Sequence, residues 1–391
     1  MLRVLTLSSL YPSDALPGFG GFVERQTLAL ASRSDVEVKV VAPFAVPPFG
    51  AGRWLSAYRP LLDLPMRELR EGIEVYRPRF PTIPGVGGRI NPWSIARAIA
   101  PLLAQIRRDF AFDLIDAEFF YPDGPAAVAL GRRFGVPVSI KARGSDIHFW
   151  SGRKGCRDQI ISAGRTSDGM LAVSGALRGD MIALGLPGER IRVHHTGVDQ
   201  SLFAPMPRGE AKAALGIDGP LVVSIGNLIP LKGHHILVEA MKALPDVHLL
   251  IAGRGPEAEA LERQINDAGL AGRVRLLGAR PHADLPALLA AADVMALPSA
   301  SEGLANVWVE ALACGTPIVI TDVGGARDVV TRPEAGRIVG RTAEAFAAGI
   351  ADMLAAKPDQ ALVRSTVTDF TWEKNSAALF DHLSGLVAAR R

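Results

Sequence analysis

Short apolar runs alternate with longer helical patterns along the whole sequence, and this alternation constrains the fold more than any single motif. Apolar runs in the first half predict strands at 3–9, 36–43, 72–78, 113–119, 136–142, 169–173 and 191–195. Runs in the second half predict strands at 221–227, 247–253, 273–278, 293–299, 316–322 and 336–340. Helical spacing of apolar residues lies between them, for example at 21–33, 92–109, 234–243, 256–268, 284–291 and 306–314. Such alternation predicts an α/β protein with helices on both faces of parallel sheets.

The predicted strands are too many for one sheet, because open sheets rarely exceed about ten strands. A length of 391 residues also favours two domains over one. The polar, proline-rich stretch 199–212 is the natural boundary. We therefore predict two Rossmann-like domains, 1–203 and 204–370, and a last helix within 371–391 that packs back on the first domain. Ligands of such folds bind at the carboxyl ends of strands, so the expected site is a central cleft that the two domains face.

Composition excludes several classes of protein. The chain is 48% hydrophobic and 21% charged with a net charge of +3, which is ordinary for a soluble globular protein and gives no reason to expect nucleic acid. We find no apolar run of the roughly 18–20 residues that a membrane helix needs, and the start of the sequence alternates like a buried strand rather than a signal peptide. Cys156 and Cys314 fall in different predicted domains, which indicates a reducing, cytoplasmic compartment without a disulfide framework.

Arginines gather in the first half of the chain, and two interpretations of them are open. They are Arg53, Arg59, Arg67, Arg70, Arg77, Arg79, Arg89 and Arg97. They could form a solvated face, or they could attract an anionic membrane surface or a phosphate-bearing substrate.

The first predicted strand-to-helix connection is rich in glycine. Gly18, Gly20 and Gly21 precede the helix at 21–33. Glycines allow a ligand to approach the backbone closely, and the amides of a helix N-terminus can bind an anion. The pattern is not the G-x-G-x-x-G fingerprint of dinucleotide-binding proteins, and a flexible surface loop is an equally good interpretation.

The corresponding connection in the second half carries a charge. Lys232 comes one residue before Gly233, and the strand predicted at 221–227 places it at the carboxyl end of the sheet. An ammonium group there could neutralise a phosphate, although a lysine at a helix start is usually an ordinary surface residue. Arg254 stands between two glycines at the next strand-to-helix turn, and Gly278 ends the strand after it.

Two glutamates stand in the otherwise small and apolar segment that follows the strand at 293–299. Glu302 precedes the helix at 306–314 and could simply cap it, which is worth about 1 kcal/mol. Glu310 lies inside the helix among apolar residues, so its carboxylate needs a partner. The hydroxyls of a ribose would serve, because an ionised carboxylate is a good acceptor of two hydrogen bonds.

With these motifs in this order, the chain resembles the retaining glycosyltransferases of family 4, which have the GT-B fold. Glu302 and Glu310 match the E-x7-E signature in "EGLANVWVEALACGTPIV". The resemblance covers nearly the whole chain. It extends to "FDLIDAEFFYPDGPAAVALGRRFGVPVSIKARGSDI", "HHTGVDQSLFAP", "IGNLIPLKG" and "AGRGPEAEAL", and as an ordered set it is specific.

The resemblance implies a role for each matching residue. Lys232 would pair with the donor diphosphate, Glu310 would bind the ribose hydroxyls, and Glu302 would hold the donor sugar. The other implied positions are the backbone of Gly303, Leu304, Ala305 and Asn306 beside the sugar and distal phosphate, Gly278 and Ala279 at the base, and Gly18, Gly20 and Gly21 over the phosphate and acceptor.

The sequence departs from the family pattern at three positions. Asn227 replaces a common arginine, so Arg254 or an arginine of the first domain would compensate at the diphosphate. Arg143 replaces a common histidine that contacts the transferred sugar, so Arg143 or His148 would take a modified part in catalysis. Thr196 replaces a common asparagine, for which we have no interpretation.

The resemblance also implies a mechanism. Transfer would occur on one face of the sugar with retention of configuration, and the leaving phosphate would help to deprotonate the acceptor. The protein would then supply position and charge rather than a nucleophile. No cofactor and no metal are expected, because the sequence has no D-x-D pair and Lys232 with helix dipoles can supply positive charge. Asp146 and His148 are interpreted as a polar loop pair and not as metal ligands.

The expected partners are a UDP- or GDP-sugar donor and a saccharide or polyprenyl-linked acceptor of cell-envelope or exopolysaccharide synthesis. Peripheral contact with an anionic membrane, at the inner face of the plasma membrane, follows from the arginines as a hypothesis. Three other activities are alternatives. An epimerase would need an acid/base pair, and a phosphorylase would need a lysine that carries pyridoxal. A non-catalytic nucleotide-sugar-binding protein stays open because of Asn227 and Arg143.

Overall fold

The computed structural model describes residues 1–16, 18–48, 58–83 and 87–390. Arg53 of the predicted arginine group therefore falls outside the described residues. The chain forms two compact units, of which the first is Met1–Gly197 with Trp372–Arg391 and the second is Val198–Thr371.

The observed boundary lies before Val198, whereas the sequence placed it after residue 203. The segment between these points is bonded to the second unit. Arg364 donates from Nη1 to the Phe203 carbonyl (2.9 Å) and from Nη2 to the Gln200 carbonyl (2.8 Å), and the Gln200 amide donates to the Val367 carbonyl (2.9 Å). A proline-rich stretch marks the neighbourhood of a boundary, but these long-range bonds fix its place.

The first unit contains ten strands and seven helices among its described residues before the chain leaves it. The strands are β1 (Leu2–Leu7), β2 (Val36–Val41), β3 (Phe44–Val46), β4 (Arg67–Arg70), β5 (Ile73–Tyr76), β6 (Arg79–Pro81), β7 (Leu114–Ala117), β8 (Val138–Ala142), β9 (Gly169–Ala172) and β10 (Ile191–Val193). The helices are α1 (Gly21–Ala31), α2 (Arg59–Leu62), α3 (Asn91–Asp109), α4 (Asp123–Phe134), α5 (Ser145–Ser151), α6 (Cys156–Thr166) and α7 (Gly175–Ala183).

The sheet of the first unit is wound in two directions. Eight of the strands described above lie in the order β10-β9-β8-β7-β1-β2-β5-β4, and β3 pairs with β6 separately. Every pairing in the large sheet is parallel except β4 with β5. The order reverses between β1 and β7, and ligands of such sheets bind at the carboxyl ends of the strands at this switch point.

The second unit is a regular doubly wound domain. Its strands are β11 (Leu221–Ile225), β12 (His248–Ala252), β13 (Val274–Gly278), β14 (Val294–Leu297), β15 (Ile318–Thr321) and β16 (Gly336–Val339). Its helices are α8 (Arg208–Ala214), α9 (His234–Ala240), α10 (Ala258–Asp267), α11 (Leu285–Ala291), α12 (Asn306–Ala313), α13 (Ala326–Val329), α14 (Ala343–Ala356) and α15 (Gln360–Arg364). The chain then returns to the first unit as α16 (Trp372–Ala388). Short 3₁₀ turns occur at Gly87–Arg89, Gly188–Arg190, Met241–Ala243, His282–Asp284 and Ser365–Val367.

The strands of the second unit lie in the order β13-β12-β11-β14-β15-β16, and every pairing is parallel. Successive residues of β11 point to opposite faces, so Val222 packs in one core cluster and Leu221 and Val223 in another. The first cluster includes residues of α9, α10 and α14, and the second includes residues of α11. The predicted α/β class, with parallel sheets and helices on both faces, is confirmed.

Three strands escaped the sequence analysis. β3 and β6 have three residues each, and β4 has four residues of the polar sequence RELR. Segments this short show no period that distinguishes them from loops. β4 also lies at the edge of its sheet, where polar side chains are tolerated because one side faces solvent.

Helix α16 closes the core of the first unit. Its Leu379 and Leu383 are buried with Leu2 and Val4 of β1 and with Leu30 of α1. Full burial of a leucine side chain stabilises a fold by about 2 kcal/mol, so these contacts hold the end of the chain against its beginning.

The arginines of the first half divide into two groups. Some pair with acids: Arg67 with Glu74, Arg70 with Glu24, and Arg77 with Glu68. Arg77 is only 3% exposed, so the interpretation of the whole group as a solvated face is wrong at that position. Arg89 and Arg97, by contrast, are exposed.

No helix in the described part of the chain is both long enough and apolar enough to cross a membrane. Cys156 and Cys314 are both buried and free.

Glycines allow the loops at the carboxyl ends of β11, β12 and β13 to pack backbone against backbone. Gly226 N–H donates to the Ala252 carbonyl (3.0 Å), and Gly253 N–H donates to the Gly278 carbonyl (2.9 Å). A Cβ at Gly253 would collide with the Gly226 carbonyl, and one at Gly255 would collide with that of Leu228. These glycines therefore serve the packing of the loops.

We expect Gly253→Ala to destabilise the protein by about 3 kcal/mol, because the added methyl group has no room beside the Gly226 carbonyl. Gly209→Ala in α8 is the matched control. An added Cβ there meets no atom within 4 Å, so we expect a gain of about 0.5–1 kcal/mol. Urea unfolding of both variants checks the pair, and equal midpoints would contradict the loop packing.

Candidate active site

Two loops of the second unit meet at its switch point. The loop at 226–233 follows β11 and the loop at 298–305 follows β14, which is its parallel neighbour. Ala300 N–H donates to the Leu231 carbonyl (2.8 Å). Arg341 holds both loops, since Nε donates to the Pro298 carbonyl (2.8 Å) and Nη2 to the Pro230 carbonyl (2.9 Å). This is the place where a ligand of a doubly wound sheet is expected.

Lys232 and Glu302 meet across these loops. The Lys232 ammonium donates to Oε1 of Glu302, and the two side chains are 18% and 12% exposed. The sequence predicts neighbouring roles for these two residues, and the structure places them in direct contact. An ammonium group has three donors, so Lys232 can keep Glu302 and still bind an anionic oxygen.

Ser299 orients Glu302, and the sequence motifs did not predict this role for the serine. Its hydroxyl donates to the same Oε1 (2.7 Å), its side chain is fully buried, and its carbonyl accepts a hydrogen bond from the Thr321 hydroxyl. Its position in the sequence could have indicated this role, because Ser299 is the last residue of the strand predicted at 293–299 and precedes Glu302 by three residues.

Gly233 allows Lys232 to reach this position. Its φ of 71° is in the left-handed region, and a Cβ there would lie 2.5 Å from the Pro298 carbonyl oxygen. His234 follows as the first residue of α9 and is fully buried, with Nδ1 3.1 Å from the Ser224 hydroxyl. Burial lowers the pKa of His234 to about 4, so this imidazole is neutral at neutral pH. Of these two residues, Lys232 is the one that carries a positive charge.

Glu310 has a protein partner. It lies on α12, is 7% exposed, and accepts a hydrogen bond from His282 Nε2 (2.9 Å). The His282 ring contacts Phe203 edge to face at 5.1 Å. His282 was not predicted, because 28 residues separate it from Glu310 and no spacing rule joins them.

Cys314, one turn beyond Glu310, is not an activated nucleophile. Burial and the Glu310 charge raise the pKa of its thiol to about 12. Since the thiolate is the reactive form, Cys314 is a packing residue.

The segment between the two glutamates is clamped from a third loop. Gly303, Leu304 and Ala305 are buried, and Asn306 is half-buried at the start of α12. Gly325 N–H donates to the Gly303 carbonyl (2.7 Å). Gly324 (φ 51°) packs against the Glu302 carbonyl so closely that a Cβ would collide with it. Gly324 and Gly325 follow the strand predicted at 316–322, and this pair of glycines could have indicated the close contact from the sequence.

The other predicted donor residues lie along the same edge of the sheet. Asn227 and Arg254 are exposed at the ends of β11 and β12, and Leu228 N–H donates to the Arg254 carbonyl (2.9 Å). Gly278 (φ 69°) and Ala279 are exposed at the end of β13. These four residues do not contact Lys232 or Glu310 in any hydrogen bond that the structure shows among its described residues.

The glycine loop of the first unit follows β1 at its switch point. Gly20 is buried with φ 80°, and a Cβ there would lie 2.5 Å from the Leu10 carbonyl oxygen. A Cβ at Gly18 or Gly21 would meet no atom within 4 Å. Packing therefore requires glycine at 20, whereas the other two leave the backbone open to approach.

Arg143 lies in a buried ion pair. Its guanidinium bonds to the Glu118 carboxylate through Nη2 and to the Glu118 carbonyl through Nε (2.9 Å). The side chains of Arg143 and Glu118 are 8% and 1% exposed. The guanidinium also lies 4.7 Å from the centre of the Phe22 ring. The residue predicted to act on the transferred sugar thus fixes the end of β8 to the end of β7.

A buried network surrounds this pair. Lys141 is fully buried, and its ammonium contacts the Gln26 side-chain oxygen and Nδ1 of His194 (2.6 Å). Burial and the Arg143 charge lower the pKa of Lys141 to about 7. Burial opposes ionisation of Glu118, but the charges of Arg143 and Lys141 hold its pKa at about 2. Glu118 is therefore ionised at neutral pH, and its buried charge depends on the cations beside it.

Asp146 and His148 have separate partners. Asp146 is fully buried and accepts the backbone amides of Phe120 (2.7 Å) and Gly144 (2.8 Å). Burial raises its pKa, and these amides oppose the rise. His148 Nε2 lies 2.9 Å from the Asp180 carboxylate. Within 1–16, 18–48, 58–83 and 87–390, we find no cluster of three His, Cys, Asp or Glu side chains that could hold a metal ion.

Thr196, the third departure from the family pattern, is buried. Its hydroxyl lies 3.4 Å from the Gly197 carbonyl, and nothing in the structure gives it a functional role.

Comparison with known proteins identifies the family of the chain. Residues 20–202 match the family model Glycosyltransferase Family 4, and residues 208–365 match Glycosyl transferases group 1. TuaC of Bacillus subtilis, named as a glycosyltransferase of teichuronic acid biosynthesis, is 31% identical over 89% of this chain and 88% of its own. The GDP-mannose-dependent phosphatidylinositol monomannoside mannosyltransferase of Mycolicibacterium smegmatis is 31% identical over 71% of this chain and 78% of its own.

Solved structures share the fold. HepE of Anabaena, solved with UDP, superimposes with a TM-score of 0.75 and 23% identity over 98% of this chain and 100% of its own. Sucrose-phosphate synthase of Thermosynechococcus elongatus superimposes with a TM-score of 0.79 and 20% identity over the full length of both chains.

We expect Arg143→Met to destabilise the protein by about 3 kcal/mol, because it leaves Glu118 buried without its cation. Adding Glu118→Gln should restore most of that loss. The exposed pair Arg327 and Asp322 is the control, and Arg327→Met should leave stability near the wild-type value. Denaturant unfolding measures all three variants. If Arg143→Met kept full stability and lost only activity, the guanidinium would serve the substrate rather than the fold.

Proposed function

The chain belongs to the family 4 glycosyltransferases of the GT-B fold, and we propose that it transfers a sugar from a nucleotide diphosphate to a saccharide or lipid-linked saccharide, with retention of configuration. The observation that carries this proposal is the contact of Lys232 with Glu302 at the switch point of the second unit. A cation and a carboxylate at that edge suit a phosphate and a sugar hydroxyl side by side.

In this proposal Lys232 binds the donor diphosphate. One N–H of Lys232 bonds to a phosphate oxygen while Glu302 accepts another N–H. The ammonium group is therefore in position before the nucleotide sugar binds. As the bond from sugar to phosphate breaks, negative charge grows on the leaving phosphate, and a fixed cation lowers the energy of that state. Lys232 can thus do the electrostatic work of a metal ion, and the mechanism that we propose is metal-independent.

Glu302 serves as a positioning acceptor. Its Oε1 already receives Lys232 and Ser299, so its second oxygen is the one directed at a sugar hydroxyl. Lys232 and Ser299 stabilise the negative charge of this carboxylate, which makes it a poorer nucleophile. The leaving phosphate is the base that we propose for the acceptor hydroxyl.

Glu310 binds the ribose in this proposal. Its contact with His282 leaves acceptor positions free on a carboxylate that has about four. Asn306 to Glu310 spans about one helical turn, so the nucleoside would lie along α12 and the sugar beside its first residues.

The names of the relatives support a nucleotide-sugar donor and a cell-envelope acceptor. HepE was also solved with UDP-glucose, and the mycobacterial relative is named for GDP-mannose and a phosphatidylinositol mannoside. We propose a UDP- or GDP-sugar donor, an acceptor of cell-envelope or exopolysaccharide synthesis, and peripheral contact with the inner face of the plasma membrane. The buried Arg143 favours one other activity, a non-catalytic nucleotide-sugar-binding protein, because it leaves fewer polar groups for chemistry on the sugar.

One experiment separates these activities and names the donor. The protein is screened by thermal shift against UDP-, GDP- and ADP-sugars, since a ligand at 100 times its Kd stabilises the native state by about 2.7 kcal/mol. The sugar that stabilises is then incubated without acceptor. Slow release of free nucleotide supports a transferase, and binding without turnover under any acceptor favours the binding protein. NMR of the product anomer tests retention.

We expect Glu310→Ala to weaken nucleotide binding about tenfold or more, since a hydrogen bond to a charged group contributes about 1.5–3 kcal/mol. The decisive comparison uses UDP or GDP and its 2′-deoxy analogue. The wild type should prefer the ribonucleotide, and the variant should lose that preference. Glu262→Gln, an exposed acid on α10, is the control. An unchanged preference in Glu310→Ala would remove the ribose role.

We expect Lys232→Met to lower kcat by about 100-fold, because the leaving phosphate loses its fixed cation. Binding of the nucleoside without phosphates should change little. Lys242→Met, an exposed lysine of the same unit, should behave as wild type. Steady-state kinetics and nucleoside titration measure the two effects, and wild-type turnover of Lys232→Met would show that the assigned site is wrong.

A further inference from the structure

Large apolar side chains are exposed at one end of the first unit. Trp93 is 66% exposed, Phe149 is 53% exposed and Ile90 is 48% exposed. Ile90 immediately precedes α3, Trp93 lies in its first turn, and Phe149 belongs to α5. We call these three residues the aromatic patch.

The two segments that carry the aromatic patch are in contact. Trp150, next to Phe149, packs so closely on Gly88 that a Cβ there would lie 2.7 Å from its ring. The Tyr121 hydroxyl donates to the Gly88 carbonyl (2.7 Å), and its ring lies 5.1 Å from that of Trp150. The Gln159 amide donates to the Arg89 carbonyl (2.9 Å). The aromatic patch is therefore one supported surface.

Cations surround the aromatic patch. Five exposed basic residues lie on the same two segments, namely Arg89, Arg97, Arg153, Lys154 and Arg157. The sequence has no Asp or Glu between Glu74 and Asp109, and only Asp158 between 147 and 167. Two of the guanidinium groups lie over the exposed rings, Arg97 at 5.6 Å from Trp93 and Arg153 at 4.2 Å from Phe149. These two guanidinium groups and the rings that they contact are therefore exposed on the same surface.

The aromatic patch lies at the functional edge of the unit. Helix α5 follows the carboxyl end of β8, close after Arg143. A helix that leads into a parallel strand runs opposite to it, so the first turn of α3 lies at the edge where β7 ends. The aromatic patch and the glycine loop after β1 therefore share one edge of the sheet.

We propose that the aromatic patch and its five cations are the surface by which the protein docks on an anionic lipid bilayer, with Trp93 and Phe149 at the depth of the headgroups. Tryptophan beside exposed arginines is the composition of membrane interfaces, where rings enter the headgroup layer and cations meet anionic lipid. This inference deepens the proposed function and rests on it, because docking by this edge brings a lipid-linked acceptor to the glycine loop.

Two other occupants fit less well. A soluble acidic polymer would use the cations but would leave three large apolar side chains in water. A second copy of the chain would place the same patch on both sides of a two-fold interface, so arginines would face arginines.

The test is co-sedimentation of the full-length protein with vesicles of phosphatidylcholine and with vesicles that also contain phosphatidylglycerol. We expect binding to the anionic vesicles only. Trp93→Ser and Phe149→Ser should each weaken it about tenfold, since burial of an aromatic side chain contributes at least about 1.5 kcal/mol. Arg97→Gln and Arg153→Gln should each weaken it about fivefold, the equivalent of ~1 kcal/mol per charge. Leu362→Ser and Arg263→Gln, exposed residues of the second unit, are the controls.

Several results would overturn the proposal. Equal binding by the patch variants and the controls would show that another surface docks. Loss of binding in the arginine variants alone, with competition by dextran sulfate, would assign the surface to a soluble polyanion. A dimer in gel filtration that Trp93→Ser dissociates would assign it to a second copy.

Transfer to a water-soluble acceptor is measured in the same preparations. The patch variants should keep that activity. Docking without any transfer would overturn the proposed function alone, and transfer without docking would overturn this inference alone.

Discussion

Parallel strands can be joined only through crossovers, and this constraint places every functional loop of each unit on one edge of its sheet. In the second unit the loops after β11 and β14 are neighbours because the strand order reverses there. Backbone bonds and Arg341 hold the two loops together, and Lys232 and Glu302 meet across them. The charged side chains of the site thus stand on loops that backbone hydrogen bonds join to each other.

The two units handle charge in different ways. In the second unit the ion pair of Lys232 and Glu302 keeps some contact with solvent, so its partners can be shared with a ligand. In the first unit Glu118 lies deep, and its charge is stable because Arg143 and Lys141 lie beside it. The pair in the second unit can share its partners with a ligand, whereas the buried pair of Arg143 and Glu118 holds strand ends together.

The sequence predicted the elements with a strong pattern and missed those whose existence depends on distant contacts. The apolar runs of β7, β11, β12, β14 and β15 are buried along almost their whole length, which is why the sequence predicts these strands. Helix α12 was predicted with Glu302 before it and Glu310 inside it. The interpretation of Glu310 as needing a partner was sound, but His282 could not be chosen from sequence, since tertiary packing alone brings it near. For the same reason the sequence predicts no partner for Arg143, because Glu118 lies 25 residues earlier on a neighbouring strand end. The sequence shows glycines at 253 and 255, but only the structure shows why glycine is required there. The carbonyls of Gly226 and Leu228 leave no room for a Cβ.

The chain enters and leaves the second unit at one point, where Val198 N–H donates to the Phe370 carbonyl (2.9 Å) and Val198 bridges to Thr371. The second unit is therefore a continuous insertion, whereas the first unit needs α16 to cover β1 and α1. During synthesis the second unit has all its residues before the first unit has its own. Residues around Leu2 and Leu30 must wait, with apolar surface uncovered, until the ribosome has released the last helix. The second unit can therefore complete its core before the first unit does, although most of the first unit is translated earlier.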